Sequence, residues 1–389
     1  MRRTGHIRER SPGSFELRYS LGTAPATGRR KIATATVRGT RKDAERELRR
    51  LLRTLDTGEH VDPTRLLMRE WFTQWLAAVK PEVSPVTHDC YTKFVNRYLA
   101  PAFGNVPLAK LSPHIIQAKY SKWAEGGRLD GKPGPLAVKS RRLLHDVLSS
   151  ALTRAVELQL LARNPAQVLR RRLPKNEPVE AATLTPEQVR RLQDAVRGMP
   201  HYWPILLSLA TGARRGEVCA LCWRHVDLDH GHIRVIESLK QTSHGIVRGP
   251  TKSGKPRVVT LPASTIEELR GWKREQAEQL LRLGMPPGPD TPVCTQPDGS
   301  PIGPDVLTSF FRRIAKRLGL PISFHSLRHT HATALLLAGV HPKVAQERLG
   351  HSSIAITMNV YSHVTDRLQD DAAGKIDDWM RLQSTGTIS

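Results

Sequence analysis

The stretch His325–Thr333 reads HSLRHTHAT, and it follows the tetrapeptide Pro321–Phe324, PISF. This order predicts a helix that opens just after the PISF turn. His325 and Arg328 are three positions apart, so they share one face of that helix. Because a helix N-terminus favours negative charge, the two side chains are candidates for binding an anion.

A second candidate cation lies upstream, in the stretch Thr211–Val218, TGARRGEV. Glycines interrupt the chain here between the apolar helical segments Ile205–Ala210 and Val218–Leu221, and the break presents Arg214. A guanidinium that is nearly buried needs an anion. The sequence leaves two partners open, a bound ligand or a structural ion pair with Glu217.

A candidate lysine lies between these two motifs, in Arg248–Pro262, RGPTKSGKPRVVTLP. Lys252 precedes the turn residues Ser253-Gly254, which are followed by the strand signal Arg257–Leu261. We therefore predict Lys252 at a hairpin tip that can reach into a groove. A lysine beside a turn is often only solvated, so this motif is weak by itself.

Two further motifs follow the HSLRHTHAT helix. The segment Arg348–His351, RLGH, predicts a helix that ends at a glycine and presents His351. The segment Asn359–His363, NVYSH, carries Tyr361 ten residues later. An isolated tyrosine near a C-terminus is usually a half-buried packing residue, so Tyr361 is a functional candidate only in combination with the other motifs.

The histidines and cysteines do not predict a metal site. His329 and His331 lie near the anion motif, but neither an HExxH pattern nor a cysteine pair accompanies them. Cys219 and Cys222 form a lone CxxC in an apolar segment, which favours core packing over a zinc module. Four cysteines in all are too few for a disulfide scaffold.

The charge of the chain indicates a polyanionic partner. The 389 residues include 60 Lys and Arg against 36 Asp and Glu, a net charge of +24. An acidic membrane surface would also attract it, but no apolar run approaches the ~18 residues of a membrane span. The start, MRRTGHIRERSPGS, has no apolar signal region. These features exclude secreted, membrane-spanning, fibrous and wholly disordered proteins, and they predict a cytoplasmic nucleic-acid binder.

The chain divides by composition into four parts. Residues 1–60 predict a small basic α+β module, since residues 1–58 hold 15 Lys and Arg against 6 Asp and Glu. Residues 65–170 predict an all-α domain with a basic face. Residues 171–183 predict a linker, and residues 184–389 a mixed α+β domain, mainly helical with a small antiparallel sheet.

Finer signals support this division. The first part predicts two or three strands, including Phe15–Leu21 and Lys31–Val37, and a capped helix from Thr40 to Gly58. In the second, Ser84-Pro85 and Ser112-Pro113 predict helix starts, and the fourth helix spans about residues 135–162. The linker signal is the apolar-poor run Arg170–Pro178. Thr185-Pro186 opens the last domain.

Taken in order, these motifs resemble the tyrosine recombinase (phage integrase) family. The matching strings are TGARRGEV, TKSGKPR, HSLRHTHAT, RLGHSS and NVYSHV, spread over residues 211–364. The resemblance implies a site-specific DNA recombinase of the three-domain integrase type, with arm-type and core-type DNA-binding domains before the catalytic domain. The catalytic set that it implies is Arg214, Lys252, His325, Arg328, His351 and the nucleophile Tyr361.

The resemblance also implies a chemistry without metal, ATP or other cofactor. Two arginines would neutralise the phosphodiester, Tyr361 would attack it, and Lys252 would protonate the leaving oxygen. The implied partners are double-stranded DNA with core and arm attachment sites, three further copies in a homotetramer, and host DNA-bending and directionality factors. Type IB topoisomerase-like relaxation and a DNA-binding regulator without catalysis are the alternatives.

The tail beyond Tyr361 is the acidic segment of the chain, with 5 Asp against 3 Lys and Arg in residues 362–389. It carries an apolar stripe at helical spacing, formed by Leu368, Ala372, Ile376, Trp379 and Met380. Such a stripe packs either on its own domain or on a neighbouring protomer. The resemblance favours docking on a neighbour.

Overall fold

A computed structural model describes residues 5–23, 30–56, 65–129, 131–176, 182–361 and 373–381. The chain forms two compact units, Met1–Asn176 and Glu177–Ser389. The first unit contains two separate hydrophobic cores, and the second contains one. Among the described residues, no helix combines the length and apolar composition that crossing a bilayer requires.

The N-terminal part of the first unit is a three-stranded antiparallel sheet with one helix. Its elements are β1 (Gly5–Ser11), β2 (Ser14–Thr23), β3 (Arg30–Arg38) and α1 (Arg41–Asp56), with strand order β1-β2-β3. Alternate residues of β2, from Phe15 to Tyr19, face α1 and form a small core with Ala44 and Leu48. Thr40 and Asp43 make the predicted reciprocal cap. The predicted helix end at Gly58 lies outside the described residues.

The rest of the first unit is helical. Its elements are α2 (Met68–Val79), α3 (Pro85–Phe94), a π-helical turn (Val95–Leu99), α4 (Ala100–Phe103), α5 (Pro113–Glu125), α6 (Val138–Glu157) and 3-10 turns at Leu108–Lys110 and Gln167–Arg172. Ser84 and Ser112 cap α3 and α5 as predicted. The fourth predicted helix is α6, shorter than expected at both ends. The predicted linker, residues 171–183, begins inside the last 3-10 turn, Gln167–Arg172. This turn belongs to the helical part because its Leu169 is buried in that core.

In its described residues, the second unit contains one large core, eight helices named α7 to α14, a further helical segment and two small sheets. The helices are α7 (Pro186–Val196), α8 (Tyr202–Thr211), α9 (Arg215–Ala220), α10 (Ala263–Arg282), α11 (Pro304–Arg317), α12 (Phe324–Leu337), α13 (Pro342–Leu349) and α14 (Ile354–Tyr361). One sheet has the order β4-β5-β8 (Val226–Asp227, His232–Val235, Arg257–Thr260), and the other pairs β6 with β7 (Glu237–Thr242, Gly245–Pro250). The predicted cap at Thr185 is present. Residues 373–381 are also helical.

The sheet topology corrects the prediction for Lys252. β7 pairs with β6, whereas β8 returns to pair with β5, so the turn that holds Lys252 connects two sheets and is not a hairpin tip. The cause lies at Ile236, which separates β5 from β6. Val235 takes Arg257 as its partner, and Glu237 takes Pro250. The strands on either side of Lys252 are therefore not each other's partners.

Candidate active site

Arg214 is held at the start of α9 by Glu217. The buried carboxylate accepts from the Arg214 backbone N–H through Oε2 at 2.9 Å and from Nη1 through Oε1 at 2.9 Å. The structural ion pair with Glu217 is thus present, yet a quarter of the Arg214 side chain stays exposed. Its Nη2 donates to the Gly350 carbonyl at 3.2 Å. Arg214 is both anchored and open to a ligand.

Arg328 lies one turn into α12 and is only 4% exposed. Its Nη1 donates to the Gly212 carbonyl and its Nη2 to the Leu349 carbonyl, each at 2.6 Å. The carbonyls orient the guanidinium but do not neutralise it, and it keeps further N–H donors. Burial and the charge of Arg214 lower the pKa of Arg328 to about 9, so the group is charged at neutral pH. A buried cation in this state favours an incoming anion.

Two glycines make this geometry possible. Gly212 and Gly350 end α8 and α13 in the left-handed region, at φ 67° and 65°. A Cβ at Gly212 would lie 2.6 Å from Leu349 Cδ2, so a larger residue would push α8 and α13 apart. Their carbonyls are acceptors for Arg328 and Arg214 respectively. The helix ends therefore build the arginine site directly.

His325 and His351 are neutral in this site. Burial, followed by the charges of His329 and Arg328, lowers the pKa of His325 to about 4. Burial, followed by the charges of Arg328 and Arg214, lowers the pKa of His351 to about 4. At neutral pH each imidazole can accept a proton or a hydrogen bond.

Lys252 and Tyr361 lie on different elements of the second unit, the connection between β7 and β8 and the end of α14. Lys252 is exposed on its connection, and its charge contributes to the lowered pKa of His325. Tyr361 is the last residue of α14; its side chain lies outside the described structure. The same helix carries Thr357, whose Oγ1 lies 2.9 Å from His351 Nδ1. Tyr361 therefore lies one helical turn after Thr357, the residue that contacts His351.

Two arginines were not predicted from the sequence: Arg348, which is half-buried, and Arg257, whose side chain is almost fully buried. Arg348 donates from Nη2 to the Ala210 carbonyl at 2.9 Å and from Nε to His331 Nε2 at 3.1 Å. Arg257 opens β8 with 8% of its side chain exposed. A signal for Arg257 was available: it shares a strand face with the buried Val259, an unusual place for a charge.

Cys219 and Cys222 are buried, as predicted. They and Cys294 are each at most 2% exposed, Cys90 is partly exposed, and none of the four forms a disulfide. Burial raises the pKa of the Cys219 thiol to about 12, which makes it a poor metal ligand and nucleophile. In the described part of the chain, no three His, Cys, Asp or Glu side chains are placed to hold a metal ion.

Comparison with known proteins finds domains of the phage integrase family. The profile of the phage integrase family matches residues 182–367, which include all six candidate catalytic residues. The chain therefore contains a phage integrase family domain. A second profile, for the SAM-like N-terminal domain of phage integrases, matches residues 67–124, within the helical part of the first unit.

Curated relatives match the sequence of this chain over most of their own length. A tyrosine recombinase XerC-like protein of Caldanaerobacter subterraneus is 27% identical over 87% of this chain and 90% of its own. The ICEBs1 integrase of Bacillus subtilis is 27% identical over 96% of this chain and 99% of its own.

Solved structures show the same fold. The Tn1549 transposon integrase in complex with transposon right end DNA has a TM-score of 0.63 at 18% identity, covering 79% of this chain and all of that chain. A lambda integrase tetramer bound to a Holliday junction has a TM-score of 0.56 at 19% identity, covering 92% and 94%. The architecture is therefore the tyrosine recombinase fold, with helical domains and small antiparallel sheets.

Proposed function

We propose that this protein is a site-specific DNA recombinase that cuts and rejoins strands through a 3′-phosphotyrosine, integrating or excising a mobile element. The observation that carries the proposal is the pair of arginines held by Glu217 and by the carbonyls of Gly212, Leu349 and Gly350. Two neutral histidines flank the pair. This arrangement suits a phosphodiester, whose two non-bridging oxygens need cationic, well-oriented donors.

The cleavage step assigns a role to each kind of candidate residue. The Tyr361 oxygen attacks the scissile phosphorus, and the bond from phosphorus to the 5′-oxygen breaks. Arg214 and Arg328 stabilise the charge that builds on the non-bridging oxygens. Lys252 gives a proton to the leaving 5′-oxygen, and a neutral histidine, His325 or His351, can take the tyrosine proton. Attack by the 5′-hydroxyl of another strand reverses these transfers and rejoins the DNA.

This chemistry needs no divalent metal and no ATP. The arginines supply the charge stabilisation that a metal ion supplies in other phosphoryl transfer enzymes. The phosphotyrosine keeps the energy of the broken bond, so rejoining needs no activated cofactor. We therefore expect full strand cleavage in EDTA, and a strict requirement for a divalent ion would indicate a nuclease mechanism instead.

We infer a three-domain division of DNA binding. The basic module within residues 1–60 binds arm sites, and the helical domain and the catalytic domain clamp the core site. The excess of positive charge supports phosphate contacts along this path. By analogy with the lambda integrase tetramer, four copies act on two duplexes, with host DNA-bending and directionality factors assisting. The site of action is the bacterial cytoplasm.

The function is tested with a core-site duplex, selected for binding from the DNA that flanks the gene and nicked beside the cleavage position. The nick lets the short leaving strand diffuse away, so a covalent adduct accumulates and migrates slowly on a denaturing gel. Recombination between two such sites supports a recombinase. Relaxation of supercoiled plasmid without recombination would indicate a topoisomerase, and binding without any adduct a regulator.

Deletion of residues 1–58 is expected to spare cleavage of the core-site duplex and to weaken recombination at a full-length attachment site. The segment has a net charge of +9 and its own small core, and it contains none of the candidate catalytic residues. Adduct yield and recombination frequency are measured on the same preparation. Loss of core-site cleavage would show that the segment belongs to the catalytic fold.

Removal of the tail after Val364 is expected to keep folding and DNA binding but to eliminate synaptic complexes. The side chains of Ile376 and Trp379 are 56% and 58% exposed, which leaves this part of the stripe available to a partner. Leu368 and Ala372 lie outside the described residues. Native gels and light scattering on the bound complexes measure assembly.

Point variants refine this test. Trp379→Ser with Ile376→Ser should reproduce the assembly defect, whereas Asp378→Ser on the same helix should not. A truncated protein that melts many degrees lower as an isolated monomer would show instead that the tail packs on its own domain.

A further inference from the structure

Arg257 links three parts of the catalytic unit that are distant in sequence. It is the first residue of β8, five positions after Lys252, and 92% of its side chain is buried. We propose that Arg257 is a positioning residue that joins the Lys252 connection to the Arg214 anchor and to the His351 loop. The inference rests on the proposed function and assigns Arg257 no contact with the reacting atoms.

The first link runs to the anchor of Arg214. Arg257 Nη2 donates to Glu217 Oε2 at 2.6 Å. The same oxygen accepts from the Arg214 backbone N–H at 2.9 Å. Burial raises the pKa of Glu217, but the hydrogen bonds and charges of Arg257 and Arg214 together lower that pKa below its ordinary value. Arg257 thus helps to keep the carboxylate ionised and directed toward Arg214.

The second link runs to the loop that presents His351. Arg257 Nε donates to the Arg348 carbonyl at 3.0 Å, two residues before Gly350. A Cβ at Gly350 would lie 3.0 Å from Arg257 Cδ, so the loop packs directly on the arginine stem. The carbonyl of Gly350 in turn accepts from Arg214 Nη2 at 3.2 Å. One guanidinium therefore touches both supports of Arg214.

The third nitrogen, Nη1, is buried without a hydrogen-bond acceptor in the described part of the structure. Leaving a buried charged donor unpaired costs free energy. An arginine chosen only for stability would not need this geometry, since an apolar side chain could fill the space. This cost in free energy is consistent with an arginine that is kept for its two hydrogen-bonded links, to Glu217 and to the Arg348 carbonyl.

The consequence is mechanical coupling across the site. A movement of the Lys252 connection on DNA binding is transmitted along β8 to Arg257, and from there to Arg214 and the His351 loop. Lys252, Arg214 and His351 would then move into position together. Misplacement of reacting groups by about 1 Å can cost ~10²-fold in rate.

The test separates binding from chemistry on the core-site duplex. Arg257→Met keeps the bulk but removes both links, and we expect a fall of about 10²-fold in the maximal single-turnover cleavage rate. The dissociation constant for DNA, measured on the folded fraction, should stay near wild type, whereas the melting temperature should fall because Glu217 loses one partner of a buried ion pair. Arg257→Lys keeps the charge but cannot hold both acceptors, so its cleavage rate should lie between that of Arg257→Met and that of wild type. Wild-type rate in Arg257→Met would overturn the proposal.

Two further variants make the result specific. In a double-mutant cycle, Glu217→Gln combined with Arg257→Met should lose less than the product of the single losses, because both act through one contact. Arg270→Met is the matched control, since Arg270 also donates to a carbonyl and a carboxylate, those of Leu228 and Asp229, but on the surface. It should cleave normally.

Instability is distinguished from positioning by the way in which rate and binding change. If Arg257→Met does not fold, Arg257→Lys decides the question. A lowered cleavage rate with unchanged DNA binding supports a positioning role. An equal loss of active protein in the cleavage and binding assays overturns it. The proposed function is checked in parallel. A wild-type chain without adduct would refute the recombinase proposal itself, whereas a wild-type adduct with normal Arg257→Met cleavage refutes only the positioning role.

Discussion

Tyr361→Phe is expected to abolish strand cleavage while specific DNA binding stays within a few-fold of wild type. The hydroxyl oxygen forms the covalent bond to phosphorus, and no other group in the site replaces it. Binding survives because contacts of many cations with phosphates dominate the affinity of such an interface. The same duplex therefore reports loss of chemistry without loss of the complex.

The measurement for Tyr361 is the adduct on a denaturing gel, beside a filter or gel-shift assay for binding. Wild-type protein is the positive control, and mass spectrometry of the wild-type adduct should place the DNA on residue 361. An adduct that persists at normal yield in Tyr361→Phe would overturn the assignment of the nucleophile. Another tyrosine would then have to be sought near His351.

Arg328→Ala or Arg214→Ala is expected to slow cleavage by several orders of magnitude. Removing one preorganised donor to a developing oxyanion typically costs ~10²–10³ in rate, and a charged forked donor should cost at least that. Lysine should not restore the rate at position 328. A single ammonium cannot hold the Gly212 and Leu349 carbonyls and also two phosphate oxygens.

The structure adds a control that the motif does not suggest. Truncating Arg328 leaves two carbonyls unpaired, at roughly 1–3 kcal/mol each if they remain buried. Melting temperature must therefore be measured with cleavage, and Arg270→Ala is a suitable surface control because that side chain is half exposed. A wild-type rate in Arg328→Lys would show that only the charge matters at this position.

Much of the local structure could be predicted because its causes are local. The caps at Thr40, Ser84, Ser112 and Thr185 each depend on a side chain and a backbone N–H three residues apart. α12 begins at Phe324, one residue before the predicted start at His325. The order of the five motifs is also a property of the sequence alone, and it was sufficient to predict the family.

The prediction for Lys252 failed because strand pairing is not local. The strand signal at Arg257–Leu261 was correct, since β8 spans Arg257–Thr260, but the turn residues Ser253-Gly254 suggested that the chain reverses there within one hairpin. In the structure β8 has β5 as its partner, and β6 has β7. Register is decided by which apolar faces can be buried together, and nothing in the turn itself records that choice.

By itself, the amino-acid sequence determined the caps, the helical periodicity, the basic charge and the candidate chemical groups, since each depends on residue type at short spacing. Only the tertiary structure decided what holds those groups. Arg328 is oriented by the carbonyl of Gly212, 116 positions away, and Arg257 reaches Glu217 across 40. Backbone carbonyls are the same at every residue, so no pattern of side chains marks which of them will be an acceptor. That choice follows from how α8, α12 and β8 pack around one core and how α13 packs against α12 and β8.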